Sequence, residues 1–315
     1  MAETQNAAAV MMVRPARFEV NGLTAPTNEF QLGESSGNND DVQRLALAEF
    51  DGLVQILSDA GVTVCVFDDT AEPHTPDSIF PNNWLSLHGD GEVVLYPMLA
   101  ENRRTERRPE LVDALRSVHG FAMGELIDLS HHEQEGRFLE GTGSLVLDRV
   151  QRVAYACLSP RTHPDLVEEF ARRLGYATCL FEAVGPSGQP VYHTNVLLAI
   201  GATTAVLCAE SITDAAQRAA VVASLERTGH KLLTISPEQM LHFAGNMLEL
   251  CTPGGDRLWV MSRQAEASLT VEQRALLSRD AQILAAPIET IESCSGGSVR
   301  CMLAEIHLPR GATSG

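Results

Sequence analysis

The amino-acid sequence predicts an α/β fold in which five strand-and-helix modules form a closed ring. Two observations support this prediction: a hairpin pattern recurs five times, and a helical pattern follows each hairpin. Each module can bury its apolar face only against the next, and joining the ends removes an open sheet edge. With 315 residues, of which 44% are hydrophobic, the chain is long enough to bury such a core.

Each predicted hairpin starts with a small polar cluster, continues as an apolar strand, turns on Gly or charged residues and returns. Complete copies occupy 80–97, 138–158, 191–209 and 243–262, and a fifth begins at 296. The missing second strand of the fifth copy is expected from VMMVRPARFEV near the N-terminus. The leading polar residues lie 57, 53, 53 and 55 residues apart; they are Asn83, Glu140, His193, Asn246 and Cys301. This even spacing predicts that they converge near the axis of the ring.

Between the hairpins, apolar residues recur at helical spacing. Helices are predicted over 41–60, 110–118, 166–174, 214–229 and the segment VEQRALLSRDAQIL, which follows a capping box of Thr270 and Gln273. A short apolar segment follows each helix, the last being APIETI at 286–291. A doubly wound α/β sheet is the alternative, but it would place its helices between single strands. We expect a single domain over 10–310, with flexible ends at 1–9 and 311–315.

Composition excludes several classes of function. There are 41 acidic and 23 basic residues, so the formal net charge of −18 disfavours nucleic acids and anionic membranes as partners. No apolar run reaches the roughly 18 residues that span a bilayer. The seven cysteines are scattered through apolar runs, which is typical of reduced cysteines. These features predict a cytoplasmic protein that binds a small molecule, with a homo-oligomer left open.

Three of the leading polar residues together suggest covalent chemistry. Cys301 follows the Gly-rich turn SGGSV, and a cysteine attacks as the thiolate, which neighbouring cations or amides stabilise. Taken singly, Cys301 and His193 are typical of core residues, and Glu140 of a buried ion pair. Because they hold equivalent positions in three modules, they could supply a nucleophile, an acid/base and an orienting carboxylate at one site.

The motifs FLEGTGSLVL, HTN and GGSVRCM resemble those of the guanidine-modifying hydrolases and amidinotransferases of the pentein superfamily. The resemblance covers residues 12 to 309 and implies a five-module α/β propeller without metal or cofactor. It also implies that Cys301 attacks the substrate carbon and that His193 protonates the leaving group and then activates water. Glu140 would bind a substrate nitrogen and hold His193.

Two positions depart from the arginine deiminase pattern of this superfamily. Asn83 and Asn195 stand where arginine deiminases have aspartates, so each change removes a negative charge from the expected pocket. A buried guanidinium requires carboxylates, whereas a neutral ureido group is matched by amides that donate and accept hydrogen bonds. The chain therefore looks most like the citrulline-utilisation hydrolases. The two amides could instead only hold loops.

Other candidate residues concern the rest of the substrate. Arg103 and Arg161 match arginines that hold the substrate α-carboxylate in the arginine deiminase pattern, although both could be surface residues. Asp77 could orient the substrate or cap a turn. The segment SHHEQEG at 130–136 lacks metal-ligand spacing, so no metal is expected.

The predicted function is hydrolysis of citrulline to ornithine, carbon dioxide and ammonia through a covalent cysteine intermediate. A hydrolase of arginine or an N-substituted arginine is the alternative within the same class. A non-catalytic propeller that binds an amino acid or a protein is the alternative from another class.

Overall fold

The computed structural model describes residues 3–31 and 39–311, in which strands group into five three-stranded sheets. In chain order these strands are β1 Ala9–Arg14, β2 Thr63–Asp68, β3 Leu85–Leu87, β4 Val93–Leu95, β5 Leu126–Asp128, β6 Leu145–Asp148, β7 Val153–Cys157, β8 Ala177–Phe181, β9 Leu198–Ile200, β10 Thr204–Leu207, β11 Lys231–Thr234, β12 Leu248–Cys251, β13 Arg257–Ser262, β14 Gln282–Ala286 and β15 Ala304–Glu305.

All five sheets share one connectivity. In four of them an antiparallel hairpin is followed by a helix and then by a third strand, which pairs in parallel with the second strand of the hairpin. The fifth sheet pairs β15 with β1 and β1 with β2, so the C-terminal strand and the N-terminal strand form its hairpin. Val10 pairs with Glu305 in this hairpin, as the incomplete fifth copy predicted. The first strands contact one another across modules, β15 with β3, β6 with β9, and β9 with β12.

Helices connect the strands along the chain. Their bounds are α1 Asn39–Asp59, α2 Pro109–Ser117, α3 Gly141–Ser144, α4 Pro164–Leu174, α5 Ala215–Arg227, α6 Pro237–Leu241, α7 Arg263–Ser268, α8 Val271–Leu277 and α9 Glu289–Ser295. Helix α4 illustrates the packing, since Leu166, Phe170 and Leu174 are spaced for one face and are buried. Four of the five predicted helices agree with α1, α2, α4 and α5 within two residues at each end.

The last module differs from the sequence prediction. The helix that opens at Thr270 has the predicted capping box but ends at Leu277. Strand β14 then begins at Gln282, four residues earlier than the predicted segment 286–291, half of which lies in α9. The physical reason is pairing: residues 282–286 complete the sheet by lying parallel to β13, which overrides their helical spacing.

The leading polar residues lie within or beside short turns just before the first strands, and not on the strands themselves. His193 caps the 3-10 turn Thr194–Val196, so VYHTNVLLAI becomes a strand only at Leu198. Cys301 lies within the turn Val299–Met302. These turns redirect the chain, so that the polar side chains point away from the strand pairing and toward a shared cavity.

The N-terminal segment differs from the predicted flexible end. Gln5 is buried, and its amide donates to the carbonyl oxygens of Leu147 and Ile200, which belong to two different modules. Strand β1 begins at Ala9. Residues 1–2 and 312–315 of the predicted ends lie outside the described residues.

Candidate active site

The predicted site residues meet at one cavity. Asn83, His193 and Cys301 line it, as do Asp77, Arg103, Arg161 and six further residues, and its empty space, which includes space open to solvent, is about 290 Å³. Glu140 reaches it through His193, and Asn195 contacts Cys301 from the next turn. The convergence expected from the 53–57-residue spacing is therefore what the structure shows, and the cavity suits a small molecule.

Glu140 and His193 form a buried hydrogen-bonded pair. Nε2 of His193 lies 2.8 Å from Oε2 of Glu140, while Oε1 accepts from the backbone N–H of Leu99 at 3.1 Å. Burial opposes ionisation of Glu140, but Arg161, His193 and Arg103 outweigh it and lower its pKa to about 2. Glu140 is therefore an anion, and Nε2 of His193 must be its donor.

His193 is neutral at neutral pH. Burial lowers the pKa of His193 to about 4, although the Glu140 carboxylate works in the opposite direction. With its proton on Nε2, the ring keeps Nδ1 as a free acceptor. His193 is thus prepared to accept a proton, and Glu140 is placed to stabilise the imidazolium that results.

Gly143 allows His193 and Asn83 to approach each other. A Cβ atom at Gly143 would lie 2.5 Å from Nδ2 of Asn83 and 2.8 Å from Nδ1 of His193. A side chain at this position would therefore collide with both functional groups. The GTGS turn, which resembled a family motif in the sequence, supplies the space for this part of the site.

Of the two polar side-chain atoms of Asn83, one is hydrogen-bonded and the other has no partner among the described residues. Its Oδ1 accepts from NH1 of Arg103 at 2.9 Å, and this contact fixes the orientation of the amide because a guanidinium only donates. Nδ2 of Asn83 is buried and has no hydrogen-bond partner among the described residues. A buried donor without a partner costs about 1–3 kcal/mol, so Nδ2 is expected to bind a substrate atom.

Arg103 is held by protein groups on several sides. It makes two hydrogen bonds of 2.9 Å to the carboxylate of Glu106 and lies 3.7 Å from Asp77. Burial disfavours its charge, but the carboxylates of Glu106 and Asp77 raise its pKa. The structure thus places Arg103 in the pocket wall, where it orients Asn83. Its predicted contact with a substrate carboxylate stays a prediction.

Arg161 contacts residues 24 and 27, of which Thr24 lines the pocket. It donates to Oγ1 of Thr27 and to the carbonyl oxygen of Thr24, and it lies 3.5 Å from Glu140. Its guanidinium carbon stacks 4.9 Å from the centre of the Tyr192 ring. These partners are mostly neutral, so a substrate carboxylate would add a strong contact here.

Asp77 lines the cavity and also contacts the chain between β1 and α1. Its Oδ2 accepts from Nδ2 of Asn21 at 2.7 Å and from Oγ1 of Thr24 at 3.4 Å. Asp77 therefore connects this part of the chain to the pocket wall. Its predicted role in orienting substrate remains open.

Cys301 lies between two asparagine amides. Its backbone N–H donates to the carbonyl oxygen of Ser298, which closes the turn after the Gly-rich segment. Nδ2 of Asn195 lies 3.5 Å from Sγ, and Nδ2 of Asn246 lies 3.3 Å from it. Oδ1 of Asn195 is buried and has no partner among the described residues. Asn195 thus presents its donor to the nucleophile and leaves its acceptor free.

Sequence reasoning missed some of the residues around the pocket. Asn246 was recognised as a leading polar residue, and its module position was the signal that could have assigned it to the site. Thr24 and Asn28, from the segment before β2, gave no signal, because they belong to no repeated position. Tyr192 was overlooked although it precedes His193.

The segment SHHEQEG forms ion pairs. His132 contacts Glu135 at 2.8 Å and Glu169 at 3.0 Å. Within residues 3–31 and 39–311, no group of three or more His, Cys, Asp or Glu side chains is arranged to hold a metal ion. No helix in that same part of the chain is long and apolar enough to cross a membrane.

Comparison with known sequences decides the family. A profile of the family described as N,N dimethylarginine dimethylhydrolase, eukaryotic, matches residues 14–308. The chain belongs to this family. It is therefore a member of the guanidine-modifying pentein superfamily and a hydrolase of the class that acts on guanidine groups, as the resemblance implied. A comparison with curated proteins found no match.

Solved structures with the same fold confirm the five-module α/β propeller. The N-terminal domain of ArgZ, covalently bound to a reaction intermediate, is 17% identical and has a TM-score of 0.73, with 96% of this chain and 99% of that domain covered. ArgZ is described as an arginine dihydrolase from cyanobacteria. Unliganded AgrE is 18% identical with a TM-score of 0.72, over 97% of this chain and 40% of AgrE. An adduct of dimethylarginine dimethylaminohydrolase with S-methyl-L-thiocitrulline is 14% identical with a TM-score of 0.65, over 95% and 100%.

Proposed function

We propose that this protein hydrolyses the ureido C–N bond of citrulline to give ornithine, carbon dioxide and ammonia. One observation supports this choice above others: within the described residues, one buried amide donor in the pocket, Nδ2 of Asn83, and one buried amide acceptor beside Cys301, Oδ1 of Asn195, have no hydrogen-bond partner. A ureido group offers a carbonyl oxygen to such a donor and N–H groups to such an acceptor. Both neutral amides would thus be satisfied by a neutral substrate.

The covalent step uses the groups around Cys301. The Sγ proton passes to Nδ1 of His193, the sulfur bonds to the ureido carbon, and the imidazolium returns the proton to the departing nitrogen. Glu140 stabilises the imidazolium through its hydrogen bond to Nε2. Water, deprotonated by His193, then breaks the C–S bond. His193 then returns the proton to Sγ. One water is consumed overall, and the carbamate fragment divides into carbon dioxide and the nitrogen product that did not leave in the first step, ornithine or ammonia.

Two arginines and one aspartate are proposed to hold the amino-acid end of the substrate. Arg161 has mostly neutral partners and is suited to bind the α-carboxylate. Arg103 would contribute guanidinium N–H groups on the side that does not face Glu106. Asp77 is suited to the α-ammonium group. The single domain, the absence of a cofactor, the cytoplasmic location and the homo-oligomer remain predictions.

A guanidine hydrolase acting on arginine or a methylated arginine is the second candidate. The carboxylates at the site favour it: Asp77 lines the cavity and Glu140 adjoins it through His193, whereas Arg103 is already paired with Glu106. The guanidinium group of a cationic substrate would pair with such a carboxylate. The family membership supports the same candidate.

Substrate assays separate the two candidates. The purified protein is incubated with citrulline, arginine and N,N-dimethylarginine in turn, and ornithine, citrulline and ammonia are quantified, with Cys301→Ala as the control. Ornithine formed from citrulline supports the proposal. Turnover of guanidines alone would overturn it, and the absence of any turnover that depends on Cys301 would favour a non-catalytic propeller.

Charge substitutions test the basis of the choice. Asn83→Asp and Asn195→Asp each restore a carboxylate, so we expect kcat/KM for citrulline to fall about tenfold or more, because a donor or a neutral acceptor is replaced by an anion. The ratio of arginine to citrulline turnover should rise. An unchanged ratio in both variants would show that these amides do not select the substrate.

A further inference from the structure

A strained turn places Asn246 beside the nucleophile. Phe243 has a φ of 61°, a left-handed value that is rare outside glycine. Two residues later, a Cβ at Gly245 would overlap the carbonyl oxygen of Val196, so only glycine allows this approach of the two backbones. Such backbone persists only where the surrounding contacts over-determine it, and it clusters at functional sites. The turn 243–246 is therefore pressed against the turn that contains Asn195.

The side chain of Asn246 is oriented by a contact that only one of its atoms can make. Nδ2 donates to the backbone carbonyl oxygen of Asn195 at 2.9 Å, and this oxygen can only accept. The amide cannot be flipped without losing the bond, so Nδ2 is also the atom that lies 3.3 Å from Sγ of Cys301. Asn246 is 1% exposed, and water does not compete for this contact.

We propose that Asn246 is a further catalytic residue, whose amide N–H acts with that of Asn195 to stabilise the thiolate of Cys301 before attack. This inference rests on the proposed role of Cys301 as nucleophile. Hydrogen bonds to an ionised acceptor are about twice as strong as those between neutral groups. Among the described residues, the side-chain donors within hydrogen-bond distance of Sγ are these two neutral amides.

Asn246 can serve both protonation states of the nucleophile. In the thiol state, Sγ donates to Oδ1 of Asn246 at 3.7 Å. After the proton passes to His193, Sγ becomes an acceptor for both Nδ2 groups at their present positions. The amides are neutral, so they stabilise the thiolate without placing a positive charge beside the substrate carbon. Little reorganisation is needed when the proton leaves, as expected of a preorganised site.

The pH dependence of alkylation tests this role. Wild type, Asn246→Ala and Asn246→Asp are treated with iodoacetamide between pH 5 and 10, and the rate at the Cys301 peptide is measured by mass spectrometry. Asn246→Ala should move the pH of half-maximal rate upward by about one unit, and alkylation at pH 7 should slow about tenfold. The kcat/KM of this variant should fall similarly at pH 7 and recover as the pH rises.

Two variants separate thiolate stabilisation from a structural role. Asn246→Asp keeps the volume of the side chain but replaces the donor by an anion, so it should shift the alkylation profile further than alanine does. Asn6→Ala removes a hydrogen bond of 2.9 Å from another buried asparagine to Glu249 of the same module. It should lower the melting temperature without moving the profile.

The proposal is overturned if folded Asn246→Ala and Asn246→Asp both show the wild-type alkylation profile, whatever their melting temperatures. Such a result would leave Asn246 as a residue that only holds the backbone of Asn195. Alkylation needs no substrate, so this outcome is distinguishable from a failure of the proposed function, in which wild-type protein would not convert citrulline to ornithine.

Discussion

Two buried clusters of this protein use the same three residue types in different surroundings. The pocket cluster is Glu140, His193 and Arg161, and the enclosed cluster is Glu305, His307 and Arg300. The carboxylate of the pocket cluster lies 2.8 Å from its histidine and 3.5 Å from its arginine. In the enclosed cluster the corresponding distances are 3.2 Å and 2.9 Å. In both clusters cationic partners outweigh burial and lower the pKa of the glutamate.

The difference between the clusters lies in what the remaining atoms face. Around Glu305, the guanidinium of Arg149 lies at 3.8 Å as a second cation, and Arg300 also donates to the carbonyl oxygen of Leu303. Arg300 and Glu305 also line a cavity, but its other lining residues are a glutamine, a threonine and apolar residues. The pocket cluster instead adjoins a cavity lined by Cys301, and among the described residues the buried amide atoms Nδ2 of Asn83 and Oδ1 of Asn195 nearby have no partner. A Glu–His–Arg group therefore becomes a candidate catalytic group through its neighbours, and its own composition and pKa shifts are not sufficient.

Substitution of each histidine by asparagine should give the largest difference in activity between the two clusters. His193→Asn removes the proton acceptor, so kcat/KM should fall about 10³-fold while the protein stays folded. His307→Asn should leave kcat/KM within about threefold and lower the melting temperature, because it removes a partner of Glu305. Steady-state kinetics and thermal unfolding of both variants provide the measurement. Equal losses of activity would contradict the distinction between the clusters.

The two glutamates should separate activity from stability. Glu140→Gln no longer stabilises the imidazolium, so kcat should fall about 10²-fold. Glu305→Gln leaves buried guanidinium groups without their anion, so the free energy of unfolding should fall by about 3 kcal/mol at neutral pH. Urea unfolding and the kcat of the folded fraction check both expectations.

The same substitution should change the acid limb of stability. The pKa of Glu305 is lowered in the folded state, so its contribution is present above the unfolded pKa of about 4.3 and is lost as pH falls through the folded value. Glu305→Gln should therefore be less sensitive to acid than wild type. A parallel pH dependence of the two proteins would show that Glu305 is not the responsible group.

The pH dependence of kcat/KM should show a smaller effect than these substitutions do. Burial lowers the pKa of His193 to about 4, so the ring remains neutral until the pH falls well below the ordinary value of about 6.5. The acid limb of kcat/KM should therefore lie near pH 4. A limb near pH 6.5 in a folded protein would indicate that His193 is solvated in the working enzyme.

A third buried glutamate, Glu292, has its pKa shifted in the opposite direction from Glu140 and Glu305. Glu292 accepts from Oγ of Ser298 at 2.6 Å and lies 3.4 Å from the amide of Gln264. Without a cation at these contacts, burial raises its pKa to about 7. Its ionisation therefore destabilises the folded state as pH rises from about 4.5 to 7.

Glu292→Gln should remove this destabilisation. The stability of the variant relative to wild type should increase between pH 4.5 and pH 8, by about 1.4 kcal/mol for each unit by which folding raises the pKa of Glu292. Urea unfolding at the two pH values measures the difference, and the value at pH 4.5 serves as the reference. A difference that does not grow with pH would mean that Glu292 is ionised normally.

The sequence alone determined the modular architecture and the main members of the site. Repeat spacing fixed which residues lead the modules, because each module must present equivalent positions to the axis of a closed ring. The family motifs and this spacing together singled out Cys301, His193 and Glu140, and the pairing of the two chain ends followed from an incomplete fifth copy. These features are periodic or local, so they can be recognised in the sequence without a structure.

Only the tertiary structure decided how the atoms are used. Asn195 was expected to contact substrate, but its donor faces Cys301 and its acceptor is the free end. The predicted contact of Arg103 with a substrate carboxylate stays a prediction, and the structure adds that Arg103 orients Asn83. Asn246 looked like Asn83 in the repeat and became distinct through a strained turn. Each of these assignments depends on the orientation of one amide or guanidinium among groups that are distant in sequence, and residue spacing does not encode that orientation.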